Sequence, residues 1–324
     1  MRAVAYHRYG SNEDLRVLDV PTVEPGPGDL LIRVAAAGLN AYDWHQYRGE
    51  PLILRASEGW RVREPRILGA DLAGTVEAVG TDVTGWATGD RVMAEIGTGA
   101  CAEWAVASAD AVARIPDDVS FESAAATPMA GLTALQALRD TAALVGGEDV
   151  LVWGASGGVG HTAVQVARAL GARRVAAVCS SRNRELVERL GADRVFAYDE
   201  AERPDGTYDV VIDTVATAAL RDLRALLSQG GRVVTVGAVA GGRLLGPGGP
   251  LVRRQIGGRL TGVDHGMMLA KVVQSDLAQL ADWLADGSLT PVVQETYPLD
   301  RAAQACRVLE DGHVAGKLVI AVGD

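Results

Sequence analysis

Short apolar runs separated by glycine and proline dominate the first part of the chain. They include Val4–Ala5, Leu15–Val20, Leu30–Ala36, Ala73–Val79 and Arg91–Glu95. Runs of this length, bounded by turn residues, are typical of β-strands. Since few long helical patterns occur there, residues 1–120 are predicted to form a β-rich domain.

From residue 116 onward, strand-like runs alternate with helix-like patterns. The predicted order is helix Phe121–Thr127, helix Leu132–Leu144, strand Val150–Trp153, helix Val159–Leu170, strand Arg174–Cys179, helix Arg184–Leu190, strand Val195–Phe196, strand Val210–Asp213, helix Ala219–Leu227, strand Arg232–Val236 and strand Leu260–Val263. This alternation predicts a parallel sheet wound by right-handed crossovers. Beyond residue 270 the pattern changes to helices Asp276–Ala285 and Arg301–Glu310 and a closing strand, Lys317–Val322.

A glycine-rich turn, Gly154–Gly160, lies between a predicted strand and a predicted helix. Glycines let the backbone approach a dinucleotide pyrophosphate closely, and the helix N-terminus attracts its negative charge. The spacing is G-x-x-G-x-x-G, because Ala155 stands where the strict G-x-G-x-x-G has its first glycine. The flanking strand and helix supply the context that a dinucleotide site requires. An ordinary tight strand-to-helix turn is the alternative.

The residues after the second strand of this region bear on the choice of cofactor. An NAD site usually has Asp or Glu there, which binds the ribose diol. This chain instead has Ser180-Ser181-Arg182-Asn183-Arg184, with no acid. Hydroxyl and guanidinium groups suit the 2′-phosphate of NADPH, so NADPH is predicted. Alternatively, Ser181 caps the next helix and Arg182 is merely solvated, and both readings can hold together.

Charge and composition exclude several classes of function. The net charge is −10 and no basic block is present, which argues against general nucleic-acid binding. No apolar run approaches the roughly 18–20 residues that span a bilayer, and the N-terminus lacks a signal-peptide core. A cytoplasmic location is therefore expected. The three cysteines are dispersed and form no C-x-x-C pair, which argues against a thiolate metal site.

Further motifs extend over nearly the whole chain. They are Gly38-Leu39-Asn40 with Asp43, Leu68–Gly74 with Val79-Gly80, Gly89–Val92, Pro128 with Gly131–Ala134, Leu190–Asp193 and Gly316–Val319. Together with the glycine turn, this set resembles the medium-chain dehydrogenase/reductase superfamily, specifically its zinc-free quinone oxidoreductase (zeta-crystallin-like) branch.

The resemblance implies an α/β fold in which a Rossmann doubly wound parallel sheet is inserted into a GroES-like β-barrel domain. The GroES-like catalytic domain would comprise residues 1–120, with residues 268–324 returning to it. The Rossmann NADPH-binding domain would comprise residues 121–267. An active site in the cleft between the domains, and a homodimer, are also implied.

The resemblance also implies roles for individual residues around the cofactor. Asn40 and Thr133 would lie near the nicotinamide and its ribose. The others are Gly154, Ser156, Gly157, Gly158 and Val159 at the pyrophosphate, Ser180, Ser181, Arg182 and Tyr198 at the 2′-phosphate or adenosine, Gly237 at the carboxamide, and Lys317 as a basic residue near the cofactor.

No metal site is expected. A catalytic zinc takes three protein ligands. Where the zinc-dependent branch has its first cysteine this chain has Asn40, and where that branch has a His-Glu pair this chain has Ala70-Asp71. The four spaced cysteines of its structural zinc are also missing.

Hydride transfer to a quinone or an enone places charge on an oxygen, which needs a hydrogen-bond donor or a proton source. Tyr42 and His45 are candidate catalytic residues, because they share a face if this stretch is helical. They also fall where zinc-dependent relatives place a proton relay. A packed tyrosine and a solvent-facing histidine are the alternative.

The predicted function is zinc-independent, NADPH-dependent reduction of a small quinone or α,β-unsaturated carbonyl (enone or enoyl) substrate. A non-catalytic NADPH-binding structural or regulatory protein is the other reading.

Overall fold

The computed structural model describes residues 1–52, 55–56, 59–236 and 264–323. They divide into two compact units, one formed by Met1–Leu132 with Lys271–Asp324 and the other by Thr133–Ala270. Among the described residues, no helix combines the length and the apolar character needed to cross a bilayer.

The secondary structure consists of the following elements. The strands are β1 (Arg2–Tyr6), β2 (Arg16–Asp19), β3 (Asp29–Leu39), β4 (Arg66–Ile67), β5 (Asp71–Val79), β6 (Arg91–Glu95), β7 (Trp104–Ser108), β8 (Val112–Arg114), β9 (Asp149–Trp153), β10 (Arg174–Cys179), β11 (Arg194–Ala197), β12 (Tyr208–Asp213), β13 (Leu227–Thr235), β14 (Asp264–Met267), β15 (Val293–Pro298) and β16 (Lys317–Ala321). The helices are α1 (Ala41–Arg48), α2 (Phe121–Ala125), α3 (Pro128–Gln136), α4 (Gly158–Ala169), α5 (Arg184–Arg189), α6 (Leu220–Ala225), α7 (Gln274–Asp286) and α8 (Ala302–Glu310).

The first unit is built around the long strand β3. It lies in a sheet of order β15-β16-β3-β5-β6-β8 and also pairs with β7, and a smaller sheet has the order β2-β1-β4. Leu30, Ile32 and Val34 are buried while Arg33 between them is exposed, which is the two-residue period of a strand with one face on the core. The last strand, β16, pairs antiparallel with β3, so the C-terminal segment belongs to this unit.

The second unit contains a parallel sheet of order β11-β10-β9-β12-β13-β14. Strands β9 and β10 consist almost entirely of buried residues, as expected for strands covered on both faces. Strands β9 and β12 are neighbours at the centre of this sheet. Strands β10 and β11 follow outward on the side of β9, and strands β13 and β14 follow outward on the side of β12. The carboxyl ends of β9 and β12 therefore form the switch point where ligands of such sheets bind. The predicted Rossmann fold class is confirmed.

Several element boundaries differ from the sequence predictions. The predicted helix Leu132–Leu144 is instead α3, which starts at Pro128, followed by a π-helical turn at Ala137–Thr141. Strands β7, β8 and β15 were not predicted, because they are short or, as in β15, mostly solvent-exposed and polar. The predicted strand Leu260–Val263 lies outside the described residues, and β14 begins directly after it.

Candidate active site

The glycine turn lies at the switch point of the parallel sheet, between the end of β9 and the start of α4. Gly154 has a φ of 83°, a conformation that glycine adopts without strain. A Cβ on Gly154 would lie 2.4 Å from Thr214 Oγ1, and one on Gly160 would lie 2.1 Å from the carbonyl oxygen of Gly154. Glycine at these two positions therefore lets the turn pack closely against the side chain of Thr214 and against its own backbone.

The pyrophosphate residues expected from the sequence, Ser156, Gly157, Gly158 and Val159, are half-buried at the amino end of α4. Gly157 is the N-cap, and a Cβ there would meet only the Gly154 carbonyl oxygen at 3.5 Å, an ordinary contact. The first N–H groups of a helix lack intrahelical acceptors and carry the positive end of its dipole. The turn thus has the donors, the space and the charge that a dinucleotide pyrophosphate needs.

A loop on the neighbouring strand, missed in the sequence analysis, completes this end of the sheet. Asp213 is fully buried at the end of β12, and its carboxylate accepts the N–H groups of Val215 and Ala216 at 3.2 and 2.8 Å. The hydroxyl of Thr214 donates to the carbonyl of Trp153 at 2.9 Å, which ties this loop to the glycine turn. The sequence signal that could have indicated this loop is the pair Asp213-Thr214 at the end of a buried apolar strand.

The residues expected at the 2′-phosphate lie at the carboxyl ends of β10 and β11. Ser180 is 8% exposed, and its hydroxyl accepts a hydrogen bond from the side-chain amide of Asn183 at 3.2 Å. The backbone N–H and the hydroxyl of Ser181 both donate to the carboxylate of Asp199, at 2.7 and 2.8 Å. Arg182 and Tyr198 are exposed on the same two turns. Asp199 had no role in the sequence analysis.

Thr133 and Gly237 are two further cofactor candidates from the sequence. Thr133 is half-buried in α3. Gly237 lies outside the described residues.

In the first unit, the structure brings Asn40 and Lys317 together, 277 positions apart in the sequence. The Lys317 ammonium donates to Asn40 Oδ1 and lies 3.5 Å from Asp71 Oδ2. Asp71 also accepts the side-chain amide of Asn40 at 2.9 Å and the N–H of Met129 at 3.1 Å. Lys317 is 3% exposed and Asp71 is fully buried. Asn40, Asp71 and Lys317 thus form a closed polar network that contains an ammonium group.

Two more carboxyl groups face this network. Asp43, at 1% exposure, accepts the N–H of Asn40 at 2.6 Å. Burial raises the pKa of Asp43 to about 7, and the nearby charge of Asp71 adds to the rise. Burial also raises the pKa of Glu95 to about 8, again with a contribution from Asp71. With one lysine among three acids, the cluster holds protons near neutral pH.

Replacing Asp43 by asparagine is expected to flatten the pH dependence of stability below pH 7. Since the pKa of Asp43 is raised from about 3.8 in the unfolded chain to about 7 in the folded one, the folded state binds the extra proton between these values. The free energy of unfolding contributed by Asp43 therefore falls as the pH rises through this window and is constant above it. In urea unfolding at several pH values, the free energy of unfolding should change less with pH for Asp43→Asn than for the wild type. Identical slopes for the two proteins would contradict the assignment.

The two catalytic candidates from the sequence lie on α1, and the expected helix over this stretch is observed. Tyr42 is 37% exposed. The Nδ1 atom of His45 lies 2.7 Å from the carbonyl oxygen of Glu50, and its ring stacks on Trp44 at a centroid distance of 3.7 Å. Because a carbonyl only accepts, Nδ1 carries the proton and Nε2 is the accepting nitrogen of the neutral ring. Burial lowers the pKa of His45, which favours this neutral form.

A cavity of about 310 Å³ opens next to α1 in the same unit, lined by Gln46, Pro65, Arg66, Ile67, Thr98 and Gly99. Its volume is in the range of small-molecule sites, and its lining combines apolar surface with an amide, a guanidinium and a hydroxyl group.

Known proteins resemble the chain over its whole length. Residues 26–117 match the alcohol dehydrogenase GroES-like domain, and residues 190–320 match the zinc-binding dehydrogenase family. The chloroplastic quinone-oxidoreductase QR1 of Triphysaria versicolor is 34% identical over 99% of this chain and 98% of its own. The solved structure of the quinone oxidoreductase from Coxiella burnetii is 30% identical, with a TM-score of 0.87 over 100% of this chain and 99% of that one. A solved NAD-dependent alcohol dehydrogenase is 31% identical, with a TM-score of 0.83 over 100% of both chains.

Proposed function

The chain belongs to the quinone oxidoreductase branch of the medium-chain dehydrogenase/reductase superfamily, and on this basis we propose that it reduces quinones or α,β-unsaturated carbonyl compounds with NADPH and without zinc. That it is an oxidoreductase with a nicotinamide cofactor follows from the family. The observation that carries the proposal is the glycine turn at the switch point of the sheet. A homodimer and a cytoplasmic location remain predictions.

NADPH, when bound, supplies the hydride. The turn at Gly154–Gly160 would hold its pyrophosphate through backbone N–H groups and the amino end of α4. The segment Ser180–Arg182 supports NADPH, because it carries hydroxyl groups and a guanidinium and no acid at the end of β10, although the Ser181 hydroxyl is bonded to Asp199. Asn40 and Lys317, which the resemblance implies near the nicotinamide, are buried and engaged with each other and with Asp71.

The network around Asp71 supports a zinc-free reaction. The Asp71 carboxylate is engaged by the amide of Asn40, the N–H of Met129 and the ammonium of Lys317. A metal ion would have to displace the lysine from this buried site, and neither an amide nor an ammonium group is a preferred zinc ligand. Turnover is therefore expected to survive dialysis against a chelator.

A proton must reach the reduced product, and we assign its supply to Tyr42 and His45 of α1. Tyr42 is 37% exposed and lies three positions before His45, so the two residues share a face of the helix. The hydroxyl of Tyr42 would donate to the product oxygen. Since the Glu50 carbonyl fixes the proton of His45 on Nδ1, the Nε2 atom would take a proton from solvent and return it to the Tyr42 oxygen after Tyr42 has donated its own.

The test follows the oxidation of NADPH at 340 nm with a panel of quinones and enones, with NADH as the alternative donor. Turnover after chelator dialysis is expected. If NADPH binds in a titration but no acceptor is reduced, the catalytic proposal fails and a non-catalytic binding role takes its place. If neither cofactor binds, the assignment of the glycine turn is wrong.

Replacing Tyr42 by phenylalanine is expected to lower kcat with enones by about tenfold or more, as general acids commonly contribute at least this much. Quinone reduction should change less than threefold, because water protonates the hydroquinone anion formed by hydride transfer without help from the protein. The comparison uses the same variant and cofactor with two acceptors, so a defect in folding or cofactor binding would lower both rates together. Equal losses with both acceptors would remove Tyr42 from the proton path.

A further inference from the structure

The turns that follow β10 and β11 are joined by a carboxylate. Asp199 Oδ1 accepts the backbone N–H of Ser181 at 2.7 Å, and Oδ2 accepts the Ser181 hydroxyl at 2.8 Å. The two turns are adjacent because β10 and β11 pair in parallel, with Cys179 opposite Ala197. Both donors of Ser181 are thereby used by a protein carboxylate.

This carboxylate is ionised at neutral pH. The hydrogen bond from the Ser181 N–H holds the pKa of Asp199 below its ordinary value, and the Ser181 hydroxyl and the charge of Arg182 act in the same direction. Asp199 thus keeps a full negative charge in hydrogen-bond contact with Ser181.

The nearest basic side chains compensate this charge only in part. The guanidinium of Arg184 donates to the Val195 carbonyl at 2.7 Å and pairs with Glu200 and Glu202 at 3.2 and 2.8 Å. Arg182 is the other arginine of the turn, and it also interacts with Asp199. Arg184 is therefore engaged by two other carboxylates, which leaves Arg182 as the arginine of this turn that acts on Asp199.

A 2′-phosphate and a 2′-hydroxyl respond to this arrangement in opposite ways. The phosphate would bring about two negative charges to donors already occupied by an anion, and the like charges repel. A ribose hydroxyl can donate to the carboxylate, as it does to the strand-end acid of NAD sites. Here the acid stands in the turn after β11 and contacts Ser181, which follows the end of β10.

We propose that Asp199 is a specificity-determining residue that weakens the binding of the 2′-phosphate, so that NADH is used alongside NADPH with only a small preference between them. The inference rests on the proposed nicotinamide-dependent function and refines its cofactor preference.

The test compares Asp199→Asn with Glu200→Gln, a neighbouring substitution that removes the same charge from a residue paired with Arg184 instead of Ser181. Calorimetric titration with NADPH and NADH gives both dissociation constants without any acceptor substrate. Asp199→Asn is expected to raise the ratio of NADPH affinity to NADH affinity by about tenfold at low ionic strength, and by less in 1 M salt. Glu200→Gln should leave the ratio within twofold of the wild type.

An unchanged ratio in Asp199→Asn, or weaker NADPH binding, would overturn the inference; weaker binding would make Asp199 a residue that positions Ser181 for the phosphate. If the affinity ratio shifts equally in both variants, the effect comes from general surface charge and not from Asp199, which would also overturn the inference. If the affinities shift as expected but no acceptor is reduced, the proposed reaction fails and the specificity role stands. If acceptors are reduced while the ratio stays constant, the specificity role alone fails.

Discussion

Replacing Gly160 by alanine is expected to lower NADPH affinity by about 100-fold, in keeping with the ~1–3 kcal/mol that overpacking a tight site commonly costs. The new Cβ would lie 2.1 Å from the carbonyl oxygen of Gly154 and 2.8 Å from the Cα of Ala155. Both contacts are with backbone, so no side-chain rotation relieves them and the turn must open. Calorimetric titration would measure the affinity, and thermal unfolding is expected to show a lower midpoint.

A matched control for this prediction is Gly157→Ala, in the same turn. There the Cβ would lie 3.5 Å from the Gly154 oxygen, and the φ of −79° suits any residue. The midpoint of unfolding should therefore stay close to that of the wild type, and any loss of affinity would come from contact with the cofactor itself. If Gly160→Ala binds NADPH as the wild type does, the turn is not the pyrophosphate site.

Features with a local cause could be predicted from the sequence. The parallel sheet was indicated because strands buried on both faces are nearly continuous apolar runs, as in Val150–Trp153 and Arg174–Cys179. The glycine turn was recognised because close backbone contacts require glycine at fixed spacing. Helix α1 was only conditionally expected, since its buried positions are Asp43 and Tyr47 and form no apolar stripe.

Contacts between distant segments could not be predicted in the same way. Asp199 lies 18 positions after Ser181, and only the register of β10 against β11 places its carboxylate on that residue. Asn40 and Lys317 were both identified by resemblance to cofactor-contacting residues. Their direct contact, and the ion pair of Lys317 with Asp71, depend on the pairing of β16 with β3 and of β3 with β5. Local patterns suggest which residues matter, whereas strand register decides which of them meet.

Replacing Lys317 by methionine is expected to lower the free energy of unfolding by about 3–5 kcal/mol, the usual effect of removing one partner from a buried ion pair. Lys317 is 3% exposed and Asp71 is fully buried, so water does not replace the lost ammonium. Methionine fills a similar volume, which limits the contribution of an empty cavity. Urea unfolding at pH 7 would measure the loss.

Two further measurements separate the loss of charge pairing from a general packing defect. Without Lys317 the pKa of Asp71, already raised by burial, rises further, because the lysine charge is what opposes the effect of burial. The folded variant then binds a proton that the unfolded chain has already released, so its stability relative to the wild type should improve as the pH falls toward 5. The double variant Asp71→Asn with Lys317→Met should recover most of the loss at pH 7, because it no longer buries the Asp71 carboxylate without its ammonium partner. A loss that is the same at both pH values and persists in the double variant would mean that Lys317 supports the fold through packing alone. The argument that the Lys317–Asp71 ion pair excludes zinc from this site would then lose its electrostatic basis.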